Sequence, residues 1–159
     1  MTGHALRLAV CFGTGVRTEV SDSRHDSRPQ RVLVADDNPD LRGLWRAYLT
    51  LSGFVVSEAA SGADAVARAV QDAPAVILMD FSMPGMDGAA AARALKRDPR
   101  TASTPVIGLT AHGRGPDARE FHEVCDIVLE KPINPESVLD ALRRALGRAD
   151  LSNSDVPEV

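Results

Sequence analysis

Ala75-Val76-Ile77-Leu78-Met79-Asp80 is apolar at every position until it turns acidic without a transition. A strand apolar on both of its alternating faces is covered from both sides, as the central strand of a parallel sheet is. Arg31-Val32-Leu33-Val34-Ala35 repeats the pattern and breaks into Asp36-Asp37. Pro39 then suits the first turn of a helix that carries Leu41, Leu44, Trp45, Tyr48, Leu49 and Leu51 at 3.6-residue spacing, closed by Gly53. Working outward, the pattern predicts strands at 54–57, 105–109 and 127–129. It predicts helices at 63–71, 87–96, 117–122 and 134–146, the last with Val138, Leu139, Leu142 and Leu146 on one face. Five strands, each followed by a helix, make an α/β doubly wound parallel sheet with five helices. In such sheets polar function gathers at the carboxyl ends of the strands.

The chain has 159 residues, enough for one domain with tails. Residues 1–30 lack a sustained period and end in the polar run Ser21 to Pro29, so they read as an N-terminal extension. Residues 31–147 hold the ordered alternation, and 148–159 read as a C-terminal tail. Aromatics are 4% of the chain, so Ala, Val, Leu and Ile must build the core. A net charge of −4 leaves no surplus of Lys and Arg to neutralise phosphates, which excludes a dedicated nucleic-acid binder. Cys11 and Cys125 have no metal or disulfide spacing, and no apolar run is long enough for a membrane span. Without a basic leader before Ala5–Phe12, a cytoplasmic location is expected.

The strand ends share a logic. The first ends at Asp36-Asp37, the third at Asp80 and the fourth at Thr110, and Lys131-Pro132 closely follows the fifth. With the first and third strands side by side, three carboxylates converge, and like charges so close favour a cation among them. Oxygen-only ligands suit a hard ion, and Mg²⁺ takes a few carboxylates with several retained waters. An Asp beside Mg²⁺, a Lys and a hydroxyl can receive a phosphoryl group. Taken singly, an Asp-Asp pair is most often a turn or helix cap, and a strand-end Thr usually satisfies local backbone. The constellation carries the reading, because these residue types stand at the ends of the correct strands.

Residues 31–147 resemble the receiver domain of bacterial two-component response regulators. The resemblance rests on Val34-Ala35-Asp36-Asp37-Asn38, Ile77 to Gly88 (ILMDFSMPGMDG), Leu109-Thr110-Ala111 and Lys131-Pro132. It implies a flavodoxin-like sheet of order 2-1-3-4-5. It implies that Asp80 is the phosphoacceptor, attacking the phosphohistidine of a sensor histidine kinase or histidine phosphotransfer protein. Asp36, Asp37, Asp80 and the backbone carbonyl of Ser82 would hold Mg²⁺. Lys131 would pair with the phosphoryl oxygens and Thr110 would donate to them. Lys131-Pro132 matches the family's cis peptide position. The same resemblance implies a phosphoacceptor with self-catalysed phosphorylation and dephosphorylation rather than an enzyme. Its expected form is a stand-alone receiver, monomeric or weakly dimeric, that signals through a downstream protein or by onward transfer.

Two positions depart from the family pattern. The aromatic three residues before the lysine is Val128, which cannot swing a ring, and the Gly before the fifth strand is Val124, which tolerates positive φ badly. His112, two residues after Thr110, and Ser82, two after Asp80, stand where the phosphoryl lifetime is tuned in such domains, though an exposed loop His is the plainer reading of His112. Trp45 reads as packing and Cys125 as a small buried hydrophobe. A haloacid dehalogenase-type phosphatase needs a second Asp two residues past its nucleophile, where Ser82 and Asn38 stand instead. The remaining alternative is a receiver-like interaction module that is not phosphorylated.

Overall fold

The computed structural model describes residues 29–111 and 116–152. Five parallel strands, β1 (Arg31–Ala35), β2 (Val55–Ala59), β3 (Val76–Asp80), β4 (Val106–Thr110) and β5 (Ile127–Glu130), form one sheet in the order β2-β1-β3-β4-β5. Helices α1 (Pro39–Leu51), α2 (Gly62–Asp72), α3 (Gly88–Arg97), α4 (Pro116–Val124) and α5 (Pro135–Ser152) alternate with them. This is the expected flavodoxin-like topology. Its order reverses between β1 and β3, which is where such sheets open a crevice at their carboxyl ends.

Strand alternation divides the core in two. Val32, Val34, Leu78, Ile107 and Leu109 face α1 and α5, where they meet Trp45, Leu49, Val138 and Leu142. Leu33, Ala35, Ile77 and Met79 face the other way, against Ala65 and Ala69 of α2, the alanines of α3, and Phe121 of α4. Every residue of β3 and β4 is buried, as the unbroken apolar run of β3 requires.

The caps follow the sequence. Asn38 accepts from the N–H groups of Asp40 and Leu41 ahead of α1. Asp87 caps α3 by accepting from Ala90 N–H at 2.8 Å. Gly53 leaves α1 at φ +93°, a conformation only Gly takes without cost. Val124 is the last residue of α4 and does not have positive φ, so the turn into β5 avoids the conformation a family Gly would supply.

Three expectations need correction. The second strand runs to Ala59 rather than Ser57, because Glu58 and Ala59 pair with Val34 and Ala35 of β1, with the Glu58 carboxylate held by Arg42 and Arg46 of α1. The apolar stripe of α1 is narrower than its sequence suggests: Trp45 and Leu49 are buried, but Leu44 is 58% and Leu51 89% exposed. The last helix does not stop near Gly147 but continues to Ser152. Gly within a helix costs only about 1 kcal/mol, and Arg148-Ala149-Asp150-Leu151 contains good helix formers. Residues 1–28, His112 and residues 153–159 lie outside the described residues. Among the described residues no helix is long and apolar enough to cross a membrane.

Ala73 caps α2 at φ 44°, ψ 61°, the left-handed region, and it precedes Pro74. A Cβ in that region costs roughly 1–2 kcal/mol, partly offset by the greater chain entropy a Gly would lose. Ala73→Gly is therefore expected to stabilise the fold by about 0.5–1 kcal/mol. Urea denaturation checks this as a raised midpoint with an unchanged slope.

Candidate functional site

The site lies where three adjacent strands end. Asp80 closes β3, 3% exposed, and Asp36 follows β1, 2% exposed. Asp37 is the next residue and reaches solvent. One carboxylate oxygen from each of Asp36, Asp37 and Asp80 falls within 4.8 Å of the others, so the three acids the sequence singled out converge. Parallel register accounts for this, since Ala35 pairs with Met79 and both chains turn acidic one residue later.

Lys131 approaches from the far side. β5 carries it past β4, where its backbone N–H donates to Thr110 O at 2.7 Å. Its Nζ then reaches Asp80 Oδ1 at 2.6 Å, a charge-assisted bond. The Lys131-Pro132 bond is cis, as the sequence led us to expect. Thr110 ends β4, is 1% exposed, and lies one residue beyond the Asp80–Leu109 pair. Ser82 is an exposed loop residue two past Asp80, between β3 and α3. Val128 is half-buried against the α2–α4 side of the core.

The electrostatics are unbalanced at Asp36. Its Oδ1 accepts from Asn38 N–H at 2.8 Å, but its buried Oδ2 has no hydrogen-bond partner among the described residues. Burial pushes its pKa above the ordinary 3.8, the Asn38 N–H pulls the other way, and neighbouring Asp80 raises it further. A buried acceptor without a donor, inside a ring of carboxylates, is the condition a hard divalent cation relieves. The donor set, all oxygen and several of them anionic, fits Mg²⁺.

Two features escaped sequence reading. Arg42 donates from Nη1 to the Asp36 carbonyl at 2.8 Å and lies beside Glu58, pinning the end of β1. Its six-residue offset from Asp36 is a weak signal, because Arg on an exposed helix is ordinary. The second is Gly88, where an added Cβ would stand 2.3 Å from the Asp80 carbonyl oxygen. The first turn of α3 therefore rests directly on the backbone of Asp80, which no side chain but Gly permits. Cys125 is buried as expected, with its thiol pushed up to about 12 chiefly by burial, and it is inert as a nucleophile.

Residues 32–143 match the response regulator receiver domain. The DNA-binding dual master transcriptional regulator RpaA of Synechocystis sp. is 37% identical over 121 residues, covering 76% of this chain and 50% of RpaA. Protein PilH of Pseudomonas aeruginosa is 35% identical over 124 residues, covering 73% of this chain and 97% of PilH. This chain spans half or less of the length of the first curated relatives it matches. Among solved structures, the receiver domain of sensor histidine kinase PA1611 from Pseudomonas aeruginosa PAO1 superposes with a TM-score of 0.70 at 29% identity, over 76% of this chain and 99% of that one. That domain is described with a magnesium ion coordinated in its active-site cleft. With the fold, the three convergent carboxylates and the lysine already in place, the match over residues 32–143 establishes that the chain belongs to the response regulator receiver domain family.

Proposed function

We propose that Asp80 accepts a phosphoryl group from the phosphohistidine of a sensor histidine kinase or histidine phosphotransfer protein, in a Mg²⁺-dependent reaction. The 2.6 Å contact between Lys131 Nζ and Asp80 Oδ1, set beside the unpartnered Asp36 Oδ2, carries this reading. A carboxylate held by a fixed cation within an acidic cluster has little structural purpose unless more anionic charge is to arrive there.

In the transfer, an Asp80 carboxylate oxygen attacks phosphorus and the P–N bond to the donor imidazole breaks. The imidazole nitrogen leaves with the electron pair and takes up a proton. Lys131 follows the charge from the carboxylate to the phosphoryl oxygens, and Thr110, at the neighbouring strand end, donates its hydroxyl to one of them. Asp36, Asp37, Asp80 and the Ser82 carbonyl would hold Mg²⁺, which when bound neutralises the carboxylates and the transferred group's oxygens. Preplaced charge of this kind lowers the barrier without reorganisation during the step.

A groove of about 230 Å³ adjoins Asp36 and Lys131, lined by Leu41, Leu44, Trp45, Pro132, Ile133 and Pro135. Its apolar lining and the exposure of Leu44 support the docking of a donor protein's helix beside the phosphoacceptor.

Intact-protein mass after incubation with acetyl phosphate and Mg²⁺ tests the reading. One added phosphoryl group is expected, absent in Asp80→Asn and absent with EDTA. No gain, from acetyl phosphate or from a phosphorylated kinase or phosphotransfer protein, overturns it in favour of an unphosphorylated interaction module.

The cation site generates a second expectation, with the sign set by Asp36. Its folded pKa is raised, so the folded state holds the proton more tightly than the unfolded chain does. In metal-free protein, stability is lost as pH rises from 3.8 through the raised value, and the loss is complete once the pH lies above that value. Asp36→Asn removes that penalty and is expected to stabilise metal-free protein at pH 7.5 by about 1–2 kcal/mol. Wild type should gain about 2.7 kcal/mol from Mg²⁺ at a hundred times its Kd, and the variant close to none. Chemical denaturation with and without Mg²⁺ measures both. Lowering the pH through the raised Asp36 value should weaken Mg²⁺ binding to wild type, because the ligand must give up its proton.

A further inference from the structure

Val128 leaves this domain without an aromatic ring on β5 to report on the site, yet a ring does connect α4 to both strands that carry the reacting residues. Phe121 is the largest fully buried side chain among the described residues and projects from α4 beneath the sheet. Its far edge fills the space over Gly108 of β4. A Cβ at Gly108 would stand 2.5 Å from Phe121 Cε1 and 2.6 Å from Cζ. The ring therefore bears on the β4 backbone itself, two residues before Thr110, with no side chain between them. The same ring lies against Phe81, with centroids 5.0 Å apart and planes at 52°.

Phe81 is the residue after Asp80, and its backbone is held on both sides. Its N–H donates to Leu109 O at 2.8 Å, and its carbonyl accepts from Gly88 N–H at 2.9 Å. A displacement of Asp80 or of the end of β4 thus reaches Phe121 through contacts with little slack. Close-packed interiors pass such shifts on rather than absorbing them. The Arg93–Glu120 ion pair also links α3 to α4, but both groups are well exposed and such pairs contribute little.

We infer that Phe121, seated on Gly108 and against Phe81, is the positioning residue through which α4 responds to the state of Asp80. The inference rests on the phosphoacceptor reading and assigns the route of its regulation. Covalent modification of Asp80 must open its contact with Lys131 and draw in the end of β4. The Gly108 notch moves with β4, and α4 shifts because its ring has no other space to occupy.

The test loads the full chain with beryllofluoride and Mg²⁺, a phosphoryl mimic, and follows hydrogen exchange of α4 amides by mass spectrometry. Loading is followed separately by Trp45 fluorescence, since that ring lines the groove beside Asp36. In wild type, α4 exchange should change by roughly fivefold or more on loading. Phe121→Leu should load with an affinity within about twofold of wild type, while its α4 response falls below about twofold. Gly108→Ala, whose Cβ displaces the ring, should show altered α4 exchange before loading and a reduced response after it. The double variant Phe121→Leu with Gly108→Ala refills the notch with a methyl group. It should regain thermal stability but not the response, which separates coupling from packing and stands in for a Phe121→Leu protein that does not fold. A normal response in Phe121→Leu or in the double variant overturns the inference, as does wild type that loads with α4 unchanged. Wild type that does not load overturns the phosphoacceptor reading instead, and the inference falls with it.

Discussion

The ion pair between Lys131 and Asp80, 2.6 Å long and closed across two strands, is the constraint around which the rest of the structure is arranged. Asp80 is nearly inaccessible, and two more carboxylates converge on it. A buried anion in such company is tenable only with a cation fixed against it. Lys131 can reach it because β5 ends where it does and its backbone N–H is held by Thr110 O. One side chain thereby ties the edge of the sheet to its centre, over a sequence separation of 51 residues.

The scaffold makes room for this cluster by concentrating ordinary burial elsewhere. Both faces of β3 and β4 are covered, and each face has its own apolar cluster. At the carboxyl ends of the strands this burial gives way to acids, one of whose oxygens is left unpartnered. An apolar residue at Asp36 would suit the fold better and the site not at all. Local conflict with folding, offset by a consistent framework, is the mark of a functional site.

Most of this was readable in the sequence, and the reasons are specific. The run Val76–Met79 is apolar on both faces, so only a central strand accommodates it. Its acidic end and that of β1 coincide because parallel register places Ala35 opposite Met79. Errors arose where tertiary contacts overrode local signals. Charged Glu58 looks like a residue beyond the strand until the ladder pairs it with Val34 and Arg42 and Arg46 are set beside its carboxylate. Leu44 and Leu51 look like core because spacing records a helix face but not whether that face has a partner. Gly147 looks like a stop because Gly is favoured just past a helix end, yet a single Gly within a long helix costs only about 1 kcal/mol and the helix runs on. The parts played by Arg42, Phe121 and the motif residue Gly88 were not legible, because each acts through a close approach to backbone. Composition and period do not encode such approaches.

The two faces of the sheet also differ in what they can transmit. On the α1–α5 side, Trp45, Leu49, Val138 and Leu142 provide a thick apolar layer that leaves a groove open beside the site. On the other side, Ala65, Ala69, Ala89, Ala91 and Ala92 bring α2 and α3 close to the strands, and Gly88 brings α3 onto Asp80 itself. Small side chains shorten the distance between helix and sheet and remove the rotamer freedom that would absorb a displacement. The one fully buried ring among the described residues of this layer, Phe121, is seated where β4 has no side chain at all. A motion at the strand ends is therefore passed on by direct contact with the backbone on this face.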